Sequence, residues 1–156
     1  MAKFLTDKDP KYCCFPPDGT LIAIAIHTTA YVWDITGSDP HLIHTFVGHI
    51  TTINSLTFSS SSLISGSNGH SIKFWQIGAS STNPVASNPE DTPLASASIR
   101  SVNLHAESGI AISIDLDGVV KAWDISTGLC KGSFQTLAKG ETSDGRWQVG
   151  CCLVHT

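Results

Sequence analysis

The chain has 156 residues, 41% hydrophobic and only 14% charged, so it holds enough apolar material for one folded core and is no charged disordered polymer. Its 9 Lys plus Arg against 13 Asp plus Glu give a formal charge of −4, with no dense basic run, which argues against nucleic acid or an anionic membrane surface as partner. The longest apolar run, Leu21 to Ile26, is far too short to span a bilayer, and the opening MAKFLTDKDP lacks the apolar stretch of a signal peptide, so a cytoplasmic setting is expected, with the nucleus also open.

Short apolar stretches separated by turn signals run along the chain. Lys11–Phe15, Leu21–His27, Ala30–Ile35 and Leu42–Val47 predict a first set of four strands. Ile53–Phe58, Leu63–Ser67, Ser71–Ile77 and Pro93–Ala97 predict a second. Ile99–His105, Gly109–Ile114, Val119–Ile125 and Cys130–Leu137 predict a third. Connections this short force antiparallel neighbours, and no segment keeps helical spacing for long enough to compete. Residues 78–92, GASSTNPVASNPEDT, carry two Asn-Pro steps and no hydrophobic period, and read as a surface loop inserted in the second set.

The three sets are one repeat. VWDI at Val32–Ile35, FWQI at Phe74–Ile77 and AWDI at Ala122–Ile125 place Trp residues 42 and then 48 positions apart, the longer interval containing the inserted loop. Phe15-Pro-Pro-Asp-Gly19 adds a turn motif, and Gly48-His49 lies 26 residues before Phe74. Ser65-Gly-Ser67 followed by Ser71-Ile-Lys-Phe-Trp75, and the run from Asp115 to Asp124, DLDGVVKAWD, complete the pattern.

These motifs resemble the WD40 repeat over roughly residues 11 to 137. The resemblance implies an all-β fold: a partial β-propeller of about three four-stranded antiparallel blades, at 11–47, 53–97 and 99–137. Residues 138–156 then form a divergent tail or a cut-off next blade, with Trp147 to Val154 as its first strand. The resemblance also implies a buried hydrogen-bond set in each blade, joining a Gly-His histidine, a turn Asp, a Ser or Thr and the Trp indole. Its members here would be drawn from Trp33, Asp34, His49, Ser67, Trp75, Asp117, Trp123 and Asp124. No blade holds the full set: the second has Gly69 at the Asp position, the third lacks the histidine, and the first lacks the Asp, having His27 near its turn. Each blade is therefore expected to be weaker than an ideal repeat, and Asp117→Ala to be more damaging than Asp91→Ala.

Three blades leave two apolar blade faces bare, whereas closed propellers have four to eight. The expectation is a piece of a longer array, association of copies to complete a ring, or capping by another protein.

Catalytic signatures are absent from the sequence: no nucleophile elbow, P-loop, G-x-G-x-x-G or H-E-x-x-H occurs. The period of the His, Asp, Ser and Trp residues favours a structural role over a hydrolase site. Cys13–Cys14 and Cys151–Cys152 are adjacent pairs whose side chains would point to opposite faces, and with Cys130 they are expected to be buried reduced thiols. His41 and His44 read as surface histidines, and neither metal nor cofactor is expected.

A non-catalytic protein–protein interaction scaffold is the function that follows, its partner unidentified, with self-association to complete the ring also open. By position in the repeat, Thr52, Asn54 and Asn68 from the second blade and Ser98, Arg100 and Leu116 from the third would form the loop-end binding surface. Arg100 is one of only two arginines and the residue type best suited to a hot spot. The divergent repeats also resemble those of fungal NACHT-type signalling NTPases, where such repeats form a sensor arm, although no NTPase motif lies in this chain. A propeller-based enzyme is the remote alternative.

Overall fold

The computed structural model describes residues 9–58, 61–78, 86–87, 97–105 and 107–136, and within them every regular element is a strand. The first antiparallel sheet holds β1 (Tyr12–Cys14), β2 (Leu21–Ile26), β3 (Thr29–Asp34) and β4 (His41–Val47) in that order. The second holds β5 (Ile53–Phe58), β6 (Ser62–Ser67), β7 (Ile72–Gln76) and β8 (Ala86–Ser87), and the third β9 (Ile99–His105), β10 (Ile110–Asp115), β11 (Val119–Asp124) and β12 (Cys130–Gln135). Strands adjacent in sequence are adjacent in space because their connecting turns are too short to reach further. The result is a partial propeller of three blades, and the described residues do not close a ring.

The second sheet differs from expectation in its fourth strand. Ala86 pairs with Phe74 and Ser87 with Lys73, so β8 falls inside the segment read as a loop. An outer strand of two residues pairs through its backbone, which leaves no periodic signal in the sequence. Of Pro93–Ala97 only Ala97 is among the described residues, and it sits in a bend. The tail 138–156 lies outside them.

Strand register decides which side chains share a face. Ala23, Ala25, Ala30, Val32 and Phe46 of the first sheet meet Leu56, Phe58, Leu63 and Trp75 of the second in one buried cluster. Ile64, Ile72 and Phe74, on the other face of the second sheet, meet Val102, Ala111 and Trp123 of the third. The core is thus two interfaces between stacked sheets. Both faces of the middle blade are covered, which is why β6 reads SLISGS with Leu63 and Ile64 both fully buried and no polar–apolar alternation. Phe46 stacks on Trp75 with ring centroids 5.0 Å apart, and each such buried aromatic contributes about 1.5–3 kcal/mol.

A candidate docking rim and the buried network beneath it

At one end of the sheets the β6–β7 turn, the β10–β11 turn and the segments entering β5 and β9 lie together. The Asn68 N–H donates to Thr52 O (2.9 Å), and the Leu116 N–H donates to Ser98 O (3.0 Å). Two further bonds cross between blades: the Ser98 hydroxyl donates to Asn68 O (2.9 Å), and the Asn54 side-chain amide donates to Ile99 O (3.1 Å). The same amide also donates to the Asn68 side-chain carbonyl. Thr52, Asn54, Asn68, Ser98 and Leu116 therefore form one continuous hydrogen-bonded ledge across the second and third blades. Arg100 stands exposed on β9 beside the buried Ile99, and Leu116 is 40% exposed at the ledge's end.

The first blade joins the same rim through the Ile53 N–H, which donates to His27 O at 2.7 Å. His27 (φ 56°) and His70 (φ 64°) both occupy the left-handed region in β–β turns, where histidine is among the better tolerated non-glycine residues. Sequence reasoning missed one residue here. Ile50, in the connection that enters β5, is 88% exposed, and a lone isoleucine in a short loop carries no pattern that would mark it.

Beneath the rim lies a buried polar set. In the second blade the Trp75 indole N–H donates to Ser65 Oγ (2.8 Å), and His49 Nε2 lies 2.7 Å from the same oxygen. His49 Nδ1 is 2.9 Å from Ser71 Oγ, which is 3.0 Å from Ser67 Oγ. The serine joining His49 to Trp75 is thus Ser65; Ser67, the residue expected there, sits one bond further on. Register along β6 explains the difference: Trp75 pairs with Leu63, so of the two serines on that face Ser65 is the nearer to the indole, while Ser67 lies further along beside Ser71. Burial, with Lys73 nearby, pulls the His49 pKa from 6.5 down to about 3, so the imidazole is neutral.

No aspartate takes part. A Cβ at Gly69 would lie 2.7 Å from Thr51 Oγ1, so Thr51 occupies the space an aspartate side chain would need. Ser71 serves the His49 nitrogen in its place.

In the third blade the Trp123 indole donates to Ser113 Oγ at 2.8 Å. The buried carboxylate of its turn is Asp115, not Asp117 as expected. Asp115 is 1% exposed, and its Oδ1 accepts from the backbone N–H groups of Asp117 (3.0 Å) and Val119 (2.9 Å). Asp117 lies on the exposed side of the same turn. In the first blade Trp33 pairs with Ile22, so the position matching Ser65 and Ser113 is Ile24. That serine is missing there, and Trp33 is only half-buried.

Asp34 and Asp124 belong to neither network. Each accepts from the residue two positions on, Thr36 (N–H 2.8 Å, hydroxyl 2.6 Å) or Ser126 (N–H 3.0 Å, hydroxyl 2.6 Å), and so shapes the turn that follows the Trp strand. Asp18 does the same with Thr20 in the first blade. These bonds hold the Asp34 and Asp124 carboxyls below the usual range, the side-chain hydroxyls of Thr36 and Ser126 being the largest causes.

Two other expectations change. Cys13 and Cys130 are exposed, because β1 and β12 are terminal strands of their sheets, and Cys14 alone of the three described cysteines is shielded; Cys151 and Cys152 lie outside the described residues. Burial, with Cys13 beside it, pushes the Cys14 thiol up to about 12. His41 is exposed, but His44 is half-buried, stacks on Phe46 at 5.2 Å and accepts the Gly78 N–H at 2.9 Å through Nε2. Among the described residues no group of three or more His, Cys, Asp or Glu side chains could hold a metal.

The family model described as "WD domain, G-beta repeat" matches residues 40–76, the stretch that carries His49, Ser65 and Trp75. The chain belongs to the WD40-repeat β-propeller family. It is similar to the COMPASS component SWD3 of Saccharomyces cerevisiae, 30% identical over 130 residues, covering 75% of this chain and 36% of that protein. It is also similar to the Target of rapamycin complex subunit wat1 of Schizosaccharomyces pombe, 25% identical over 126 residues, covering 80% of this chain and 38% of that one. The WD40 blades described above thus span less than two-fifths of the length of these curated relatives.

Proposed function

We propose that this WD40 chain is a non-catalytic protein–protein interaction scaffold whose docking surface is the rim built by Thr52, Asn54, Asn68, Ser98, Arg100 and Leu116. The observation that carries this reading is the ledge itself. Its backbone and side-chain bonds cross two blades, so a partner would meet polar groups already held in place, without the ordering cost of a loose loop. Arg100 supplies an exposed guanidinium, and Leu116 and Ile50 supply apolar contacts at the same end, the mixture that interfaces favour. The names of both relatives place them in multiprotein complexes, COMPASS and the target of rapamycin complex, which supports a role of this kind. The scaffold would work in the cytoplasm. The sensor-arm role suggested by the NACHT resemblance is a special case of it, with the scaffold joined to a nucleotide-binding switch.

The test is proximity capture in cells expressing the wild-type chain, the rim variants Arg100→Ala and Leu116→Asp, and a control variant, Glu107→Ala, at the opposite end of the third blade. The scaffold reading expects a set of captured proteins that the control keeps and both rim variants lose. Identical sets in all four samples would remove the rim as the docking surface.

A further inference from the structure

The β6–β7 turn carries Asn68-Gly69, the one Asn-Gly step in the chain. Asparagine is a chemically labile residue, and its neighbours decide whether it reacts. Asn83 and Asn88 precede prolines, whose nitrogens have no proton to lose, and Asn54 and Asn103 lie within β5 and β9. Asn68 instead is exposed to water, in a hairpin loop closed by the Ser67 N–H on Ser71 O (3.0 Å), so the Gly69 N–H falls outside the strand ladder. That N–H donates to Ser67 Oγ at 3.2 Å, a long bond to a hydroxyl that also meets Ser71 Oγ. Glycine leaves its nitrogen unshielded. Packing keeps the position glycine, because a Cβ there would lie 2.7 Å from Thr51 Oγ1. The Asn68 carboxamide is prepared as well. Asn54 Nδ2 donates to Ile99 O at 3.1 Å, which fixes its orientation, and the same amide donates to Asn68 Oδ1. A donor on a carbonyl oxygen stabilises the negative charge that forms there when the carbon is attacked.

We propose that Asn68 is a self-modification site, converted in the folded chain to aspartate and isoaspartate by the Gly69 nitrogen, with Asn54 as the positioning residue. The Gly69 nitrogen gives its proton to hydroxide and bonds to Asn68 Cγ. The Asn54 N–H holds the oxygen of the tetrahedral species as it becomes negative. The Cγ–Nδ2 bond then breaks, and the side-chain nitrogen takes up a proton and leaves as ammonia, which closes a cyclic imide. Water opens that ring at either carbonyl. Breaking the bond from Cγ to the Gly69 nitrogen restores the main chain and leaves aspartate. Breaking the bond from the Asn68 main-chain carbonyl to that nitrogen leaves isoaspartate, with the chain running through Cγ. In sum, one amide and one water become one carboxylic acid and one ammonia. Either product sets a new carboxylate on the rim, beside the Ser98 hydroxyl that donates to Asn68 O at 2.9 Å. The chemistry is the same whether or not the rim docks a partner, so it stands or falls apart from that reading.

Peptide mapping by mass spectrometry tests this on the full chain, sampled over days in mildly alkaline buffer while circular dichroism confirms the fold. Acid products are expected at position 68, ahead of any at Asn54 or Asn103. Asn54→Leu removes the donor and should slow the conversion roughly tenfold, less than the ~10²–10³ of a water-excluded oxyanion donor. A variant that merely loosened the turn would speed the conversion, so the direction separates activation from a structural role. Ser98→Ala, which releases the Asn68 main-chain carbonyl and keeps the Asn54 donor, should not slow it. Asn54→Asp, of the same shape without the donor, repeats the test if Asn54→Leu does not fold. An Asn68 that stays intact in the folded chain while the urea-unfolded chain reacts would overturn the proposal. So would a folded Asn54 variant that reacts as fast as the wild type or faster.

Discussion

Ile99 of the third blade packs where Gly66 of the second has no side chain: a Cβ at Gly66 would lie 2.4 Å from Ile99 Cγ2 and 3.0 Å from Val102 Cγ1. The second interface closes on that absent methyl group. Gly66→Ala should lower stability by about 1–3 kcal/mol through overpacking, and Ile99→Ala introduced with it should return part of the loss. Urea denaturation of the two single variants and the double variant measures the coupling. Strictly additive losses would mean that the two positions do not meet.

His49 couples the fold to pH. Its pKa is depressed to about 3 in the folded chain, against 6.5 when free. Between those values the unfolded chain binds a proton that the folded chain excludes, so stability falls as pH drops from 6.5 towards 3, by up to about 1.4 kcal/mol per pH unit. His49→Gln should be the less stable form at neutral pH and should lack this component of the slope. Melting curves of both proteins across the window should therefore converge as pH falls; a constant gap would show that His49 is not held neutral.

Restoring the family's aspartate should not help this blade. In Gly69→Asp the new side chain meets Thr51 Oγ1, which stands 2.7 Å from the Cβ position. The single variant should be destabilised by about 1–3 kcal/mol, and Thr51→Gly combined with it should be markedly less so, because the space is then free for the carboxylate to reach His49. Thermal denaturation of the single and double variants decides this, and a stabilised single variant would contradict the packing described.

In the third blade the turn carboxylate that matters is Asp115. Asp115→Ala removes the acceptor of two backbone N–H groups and should cost about 1–3 kcal/mol, more than Asp117→Ala at the exposed position. Asp115→Asn should cost little. It keeps an acceptor at Oδ1 and removes a buried carboxylate whose Oδ2 has no hydrogen-bond partner. Chemical denaturation of the three variants gives the order, and a larger loss at Asp117 would reverse the assignment.

The blade count and most strands were legible because hydrophobic runs, turn residues and the Trp period all report local choices that the chain makes by itself. The strand Ala86–Ser87 was not legible, since backbone pairing alone creates it. The choice of Ser65 over Ser67 needed the register of β6 against β7, since the two serines share a face and a shift of two residues would have exchanged their places beside Trp75. Asp115 and Asp117 are both turn aspartates in the sequence, and only burial in the folded chain separates them.

Local sequence is enough to establish a repeat of short strands with one Trp per repeat, the lack of a dense basic run, and rim positions rich in Asn, Thr and Ser. Only the assembled blades join those rim residues into one ledge and let Thr51 and Ser71 stand where an aspartate is missing. The physical reason is that strands and turns arise from neighbours in sequence. Hydrogen bonds such as Asn54 to Ile99, and contacts such as Ile99 on Gly66, arise only when separate blades are stacked.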